Sequence, residues 1–185
     1  MPALTNGLVV MTPTSVDKTG TGSTATINSD GSVTFSSCET LSLNGVFTSS
    51  YDNYMIAIRH TCNQSSAALL GRLRVSGSDA TGTNYTRQYI SALDTSVTAA
   101  RESTQSSARI AAMANSQRGG DTCFVFGPFL AQPTAFRYAG IYPDTNAGIA
   151  DAASTHSLST SYDGLTLFMT SGNFTGLLTV FGFNQ

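Results

Sequence analysis

The sequence predicts an all-β protein, a jelly-roll-like antiparallel β-sandwich with an extended N-terminal arm. Three observations carry this. First, charged residues make up 11% of the chain, against about 25% in a typical globular domain. Only one Lys and two Glu are present, and helix surfaces are normally built from such long, unbranched side chains. Second, hydroxyls replace the missing charge, with 24 Ser and 26 Thr; Thr, with Val, Tyr and Phe, suits a pleated and half-buried surface. Third, short apolar-polar alternations recur between Gly, Asn, Asp and Ser turns, the spacing expected of a sandwich or barrel. The 185 residues suffice for one domain with its own core. We divide them into an arm or linker over 1–23 and a β-sandwich domain over 24–185.

Along the chain, residues 7–11 read as a short strand, and Leu8, Val9 and Val10 call for burial. Thr12 to Ser23 mixes Pro, Ser, Thr and Gly without periodicity and reads as loop. The segment is either an arm that docks on a neighbouring subunit or an untethered tail. Thr24–Ile27 and Ser32–Phe35 flank Asn28-Ser-Asp-Gly31, a strong hairpin signal. Glu39 to Leu43 continues as a strand, and Asn44-Gly45 supplies a tight turn, since both residues tolerate positive φ. Asn53 to Thr61 sets Tyr54, Ile56 and Ile58 against Met55, Ala57 and Arg59. Leu69 to Ser76 sets Leu69, Leu73 and Val75 inward and Arg72 and Arg74 outward. Alternation of this kind marks a sheet with one wet face. Asn84 to Ala92 returns as a strand with Tyr85 and Tyr89 on one face. From Leu93 to Gln117 the chain has little pattern, and Arg109 to Met113 fits a strand or a helical turn equally.

Two later strands differ in kind. Thr122 to Leu130 sets Cys123, Val125 and Phe129 against Phe124, Phe126 and Leu130, with Pro128 marking an edge or bulge. Gly176 to Phe183 sets Leu177, Phe181 and Phe183 against Leu178 and Val180. Both faces of each strand are apolar, so both require cover. Either another subunit or this chain's own N-terminal arm supplies it. On the first alternative the contact residues are Leu8, Val9, Val10, Phe124, Phe126, Leu178 and Val180. Between these two strands, Thr134 to Tyr142 and Gly164 to Thr170 also read as strands.

The function classes are bounded as well. A net charge of −2 and a pI near 5.5 give no electrostatic reason to expect nucleic-acid binding. No run approaches the ~20 apolar residues of a membrane span. The N-terminus lacks a basic signal-peptide region, so synthesis and folding in a cytoplasm are expected. Cys38, Cys62 and Cys123 form no CxxC pair and read as buried free thiols. Asn63, Asn84 and Asn173 fall in sequons, at the number that this composition generates by chance. No G-x-S-x-G, H-E-x-x-H or P-loop motif occurs, and Gly20 to Ala25, a relaxed dinucleotide pattern, follows no strand and opens no helix. His156 with Asp151 or Asp163 and one of many serines is an accidental combination at this composition. Asp30, Asp79, Asp121, Asp144 and Asp163 lie by Gly or Asn and read as turn formers. No enzyme activity, cofactor or metal is therefore expected. Arg72, Arg74, Tyr85, Arg87 and Tyr89 form either a guanidinium and aromatic binding surface on an outer face or ordinary cross-strand pairs.

Several stretches resemble one class of proteins. They are Ser32-Val-Thr-Phe35, Leu41-Ser-Leu-Asn-Gly-Val-Phe47, Tyr51-Asp-Asn-Tyr54, Leu73-Arg-Val-Ser-Gly77, Asn84-Tyr85, Phe126-Gly-Pro-Phe-Leu-Ala-Gln-Pro-Thr134, Tyr162-Asp-Gly-Leu-Thr166 and Gly176-Leu-Leu-Thr-Val-Phe-Gly182. This pattern is similar to that of small β-sandwich virion proteins of tailed bacteriophages. It runs from Thr24 to the C-terminus and is weakest over 93–117. The resemblance implies a non-enzymatic capsid decoration protein, a head fibre or a tail-appendage head on the virion surface. It implies a homo-oligomer, usually a trimer, that contacts other capsid or tail components. A tail-appendage role would add host-surface glycan as a partner.

Overall fold

The computed structural model describes residues 7–64, 67–113, 118–142 and 148–184. Its strands are β1 (Val9–Val10), β2 (Ser15–Thr19), β3 (Thr24–Ile27), β4 (Val33–Cys38), β5 (Thr40–Asn44), β6 (Asn53–Cys62), β7 (Ala67–Val75) and β8 (Ser78–Asp79). They continue as β9 (Tyr85–Leu93), β10 (Ser96–Gln105), β11 (Ala108–Met113), β12 (Gly119–Phe126), β13 (Thr134–Tyr142), β14 (Gly148–His156), β15 (Gly164–Met169) and β16 (Phe174–Phe183). Among the described residues there is no helix.

All pairings are antiparallel and form two sheets. The ten-stranded sheet runs β10-β9-β14-β13-β12-β6-β16-β4-β3, with β1 also on β16; the six-stranded sheet runs β11-β7-β15-β5-β2, with β8 on β7. Eight of these strands make a jelly roll. In chain order β4, β6, β12 and β16 fall in the large sheet and β5, β7, β11 and β15 in the small one. β4 lies beside β16, β5 beside β15, β6 beside β12 and β7 beside β11. The chain is thus a long hairpin wound around a common core, the double Greek key of this architecture.

The core follows from period two. β6 buries Tyr54, Ile56, Ile58 and His60, β16 buries Phe174, Leu178 and Val180, and β12 buries Cys123 and Val125. Facing them, the small sheet contributes Leu41, Leu43, Leu69, Leu73, Ile110, Leu165 and Leu167. All three cysteines are free and buried, and burial raises their thiol pKa values.

Two hairpins enlarge the jelly roll. β9–β10 is inserted between β7 and β11, and β13–β14 between β12 and β15, so that β13, β14, β9 and β10 widen the large sheet beyond β12. The strand β10 is exposed along most of its length. Of the segment of little pattern, 93–117, residues 114–117 lie outside the described residues; the rest holds β10 and β11, and Arg109 to Met113 belongs to β11 rather than to a helical turn.

The N-terminal segment is more ordered than its composition suggests. Val9 and Val10 pair with Gly182 and Phe181 of the same chain, where β1 takes over the side of β16 that β4 occupies earlier. Residues 15–19 form a strand on β5, which corrects the reading of 12–23 as loop throughout. Thr14 packs under Gly45, whose φ of 63° belongs to the expected Asn44-Gly45 turn. The β3–β4 hairpin closes as expected, with Gly31 at φ 83° and Asp30 accepting from the Ser32 amide at 3.0 Å.

Candidate functional site

The residues expected to form one outer binding face do not share a surface. Arg72 and Arg74 do lie on the outer face of the small sheet, where Arg72 stacks over Phe168 at 4.2 Å. Arg74 donates to Asn44 Oδ1 at 3.1 Å, Ser42 Oγ at 2.9 Å, Thr166 Oγ1 at 2.6 Å and Asp79 Oδ1 at 2.5 Å. Tyr85 is fully buried and accepts from the Leu73 amide at 3.0 Å. Arg87 is buried too, paired with Glu102 at 2.8 Å. Tyr89 is half-buried beneath Arg109, at 4.4 Å from the ring centre. Alternation places Tyr85, Arg87 and Tyr89 on the inward side of β9, so the expected single face is corrected to two: the outer face of the small sheet and the inward side of β9.

The expected contact residues also divide. Leu178 and Val180 are 1% exposed and belong to this chain's own core, so neither is open to another subunit. Val9 and Val10 use their backbone groups on β16, while the Leu8 and Val10 side chains stay exposed. Phe124 and Phe126 lie half-buried on the outer face of the large sheet. Phe124 stacks with Phe126 and meets Phe183 edge-on, both at 6.1 Å.

That outer face continues over the added hairpins. Register places Ile141 beside Ile149, Ile149 beside Ala92, and Ala92 beside Val97. Ile141, Ile149 and Val97 are 45%, 69% and 67% exposed, and Ile90 nearby 49%. An aliphatic ladder across four strands is thus open to solvent, bordered by the Arg137–Asp151 ion pair. Contiguous apolar patches of this type mark protein contact surfaces.

At the other side of the same face lies a cleft of about 340 Å³, within the range of roughly 300–1,000 Å³ usual for small-molecule sites. It spans β4, β16, β6 and the start of β12, and it is lined by Arg59, Arg118, Thr34, Ser36, Thr61 and Thr175, with Phe35, His60, Gly119 and Gly176 as floor. Among the described residues its lining contains no carboxylate.

Below the floor is a pair that sequence reasoning missed. His60 Nε2 meets Asp121 Oδ2, with both side chains fully buried. Asp121 was expected to form a turn; instead it points inward in line with Cys123 and Val125. Burial raises its carboxyl pKa, against the opposing pull of the His60 hydrogen bond. A Cβ at Gly119 would overlap the His60 ring, and one at Gly140 would overlap the Asp121 carboxylate. Glycine at both positions makes room for the pair. The signal was present in parity, since His60 follows Ile56 and Ile58 on the inward face and Asp121 precedes Cys123 on its own.

The other expected carboxylates divide between roles. Asp79 pairs with Arg74, Asp163 accepts from the Ser76 amide at 3.0 Å, and Asp144 lies outside the described residues. His156 meets neither Asp151 nor Asp163: it is buried between Tyr85 and Tyr162, with ring centres 4.3 and 5.3 Å away. Among the described residues no group of three or more His, Cys, Asp or Glu is placed to hold a metal ion.

No protein-family model matches the chain, and no curated protein matches it. One solved structure with some likeness is a protein of unknown function from Shewanella oneidensis MR-1, 8% identical over 99% of this chain and 81% of that chain, with a TM-score of 0.29. A likeness this slight carries no argument about fold or role.

Proposed function

We propose that this chain is a non-enzymatic structural protein on the surface of a tailed-phage particle, acting as a capsid decoration or cement protein and assembling as a homo-oligomer, a trimer by the sequence resemblance. The observation that supports it best is the outer face of the large sheet. Phe124, Phe126 and Phe183 at one end and Ile141, Ile149 and Val97 at the other leave apolar surface open on the β-sandwich. Burial of such surface stabilises an assembly by about 25 cal/mol per Å². On this reading, copies associate through that face and the exposed Leu8 and Val10 side chains meet capsid or tail components. The chain reaches the virion after synthesis in the host cytoplasm. Two measurements test the reading: the solution mass of the purified chain, and imaging of particles labelled on it. A stable monomer that leaves virions unlabelled would overturn it.

A second reading, a tail-appendage domain that binds host-surface glycan, is favoured by a separate observation. This is the hydroxyl-lined cleft that carries Arg59 and Arg118. Adsorption of the purified chain to host cells tests it, and absence of adsorption at micromolar concentration would remove it.

A further inference from the structure

Most arginines in this molecule are occupied. Arg74, Arg87 and Arg137 pair with Asp79, Glu102 and Asp151, and Arg72 and Arg109 stack on Phe168 and Tyr89. Arg59, Arg101 and Arg118 have no ion pair, hydrogen bond or ring contact among the described residues, and two of these three converge on the one cleft. Register explains how. Arg59 lies opposite Gly120, one residue from His60 opposite Gly119, so β6 and the start of β12 bring Arg59 and Arg118 to the same end of the sheet. Gly120 adds no side chain on the outer surface between them.

The remaining walls are hydroxyls. Thr34 and Ser36 come from β4, Thr175 from β16 and Thr61 from β6. Thr175 Oγ1 already accepts from the Ser37 amide at 3.0 Å, which fixes the side chain and leaves its proton free to donate. Guanidinium groups bind planar or tetrahedral oxyanions through paired N–H donors, with charge-assisted bonds stronger than neutral ones. Hydroxyls that both donate and accept match the alcohols of a sugar ring. A carboxylate in the lining would repel an anion, and none lines the cleft among the described residues. Asp121 is buried beneath the floor and engaged by His60.

We infer that the cleft between β4, β16, β6 and β12 binds a saccharide bearing an oxyanion, carboxylate or sulfate, with Arg59 and Arg118 holding the charged group and Thr34, Ser36, Thr61 and Thr175 meeting its hydroxyls. The inference rests on the glycan-binding reading and names both its site and its ligand class. It takes no surface from the aliphatic ladder, which lies on β13, β14, β9 and β10 across β12 from the cleft.

Calorimetric titration of the full chain with three oligosaccharides tests it: a galacturonate oligomer, a heparin-type sulfated oligomer and a neutral galactose oligomer of equal length. The expected result is that at least one acidic oligomer binds about tenfold or more tighter than the neutral one. Arg59→Ala and Arg118→Ala should each weaken that binding about tenfold, and Arg101→Ala, which removes an unpaired arginine elsewhere, should leave it unchanged. Both cleft variants remove exposed side chains, and an unchanged melting temperature will show that they fold. Selectivity between the two acidic oligomers identifies the oxyanion. Equal binding of the neutral oligomer, insensitivity to both cleft substitutions, or no binding at millimolar concentration would each overturn the inference. Inorganic sulfate binding as tightly as the sulfated oligomer would overturn its saccharide part. A chain that adsorbs to host cells but ignores acidic oligomers sinks this inference while leaving the glycan reading intact; one that binds them but does not adsorb has the opposite consequence.

Discussion

The outer faces of the two sheets share a pleat and an antiparallel ladder, yet their side chains are arranged oppositely. On the small sheet, polar groups are closed on one another. Arg74 is bound by Ser42, Asn44, Thr166 and Asp79, Asn44 also donates to Asp17 at 2.9 Å, and Thr19 and Thr40 share a hydrogen bond of 2.8 Å. On the large sheet, aliphatic and aromatic side chains stand open, and the cleft arginines have no partner among the described residues. A network whose donors and acceptors are satisfied internally has little to offer a partner. A face with open apolar surface and free cations does. The difference is why we propose contact through the large-sheet face and not through the small-sheet one.

The largest effect should come from charging the open face. Ile149→Glu with Val97→Lys places two charges on the aliphatic ladder, where both side chains are over 60% exposed. On the proposed assembly, sedimentation should show loss of the oligomer, with the variant's unfolding free energy within about 0.5 kcal/mol of the parent's when both are measured at a concentration where the parent is dissociated. An oligomer that survives would move the contact elsewhere and remove the contrast between the faces.

Arg74→Ala should have the reverse outcome. It leaves Asp79 and several hydroxyls without their shared donor, and breaking a buried charged pair costs about 3 kcal/mol or more. Denaturant unfolding will measure this, and the oligomeric state should not change. A loss below about 1 kcal/mol would show that the network is dispensable.

The core between the faces supplies a pH test. Burial lowers the pKa of His156 below its ordinary value of 6.5, so below that value the unfolded chain binds more protons than the folded one. The associated stability is complete above pH 6.5 and declines as pH falls toward the lowered folded value, by at most about 1.4 kcal/mol per pH unit. In His156→Phe this decline should be absent from the unfolding free energy measured across pH 7 to 5. Parallel curves for parent and variant would place the titration elsewhere.

The smallest effect is expected at Phe168. Replacing the ring by Leu removes its contact with Arg72 and should cost about 0.5–1 kcal/mol in thermal unfolding, again without altering assembly.

Legibility in the sequence followed side-chain contrast. The strands β6 and β7 alternate between large apolar and polar residues, and their inward faces were readable. The strand β14 was not seen, because its inward residues are Gly148, Ala150, Ala152, Ser154 and His156; small side chains there sit opposite β11 and leave almost no hydrophobic amplitude. The strand β10 is exposed on both faces, so no period is imposed on it. The strand β12 ends at Phe126, and Phe129 and Leu130 lie beyond it, because Gly127 at φ 68° turns the chain. Of the site, the two apolar faces of β12 and β16 were legible, but not which face would be enclosed. The cleft was not legible, since Arg59 and Arg118 are 59 positions apart in the numbering.

By itself the sequence determined the β class, the turn positions, the alternation of the central strands and the absence of familiar catalytic motifs. These are local properties, set by backbone φ preferences and a two-residue period. The tertiary structure decided the rest: that β13, β14, β9 and β10 widen one sheet, that Leu178 and Val180 face the core while Phe124 and Phe126 face out, that His60 meets Asp121, and that Arg59 and Arg118 share a cleft. Each depends on which strands pair and in what register, and register is a property of the assembled sheet, in which a shift of one residue would turn every side chain to the opposite face.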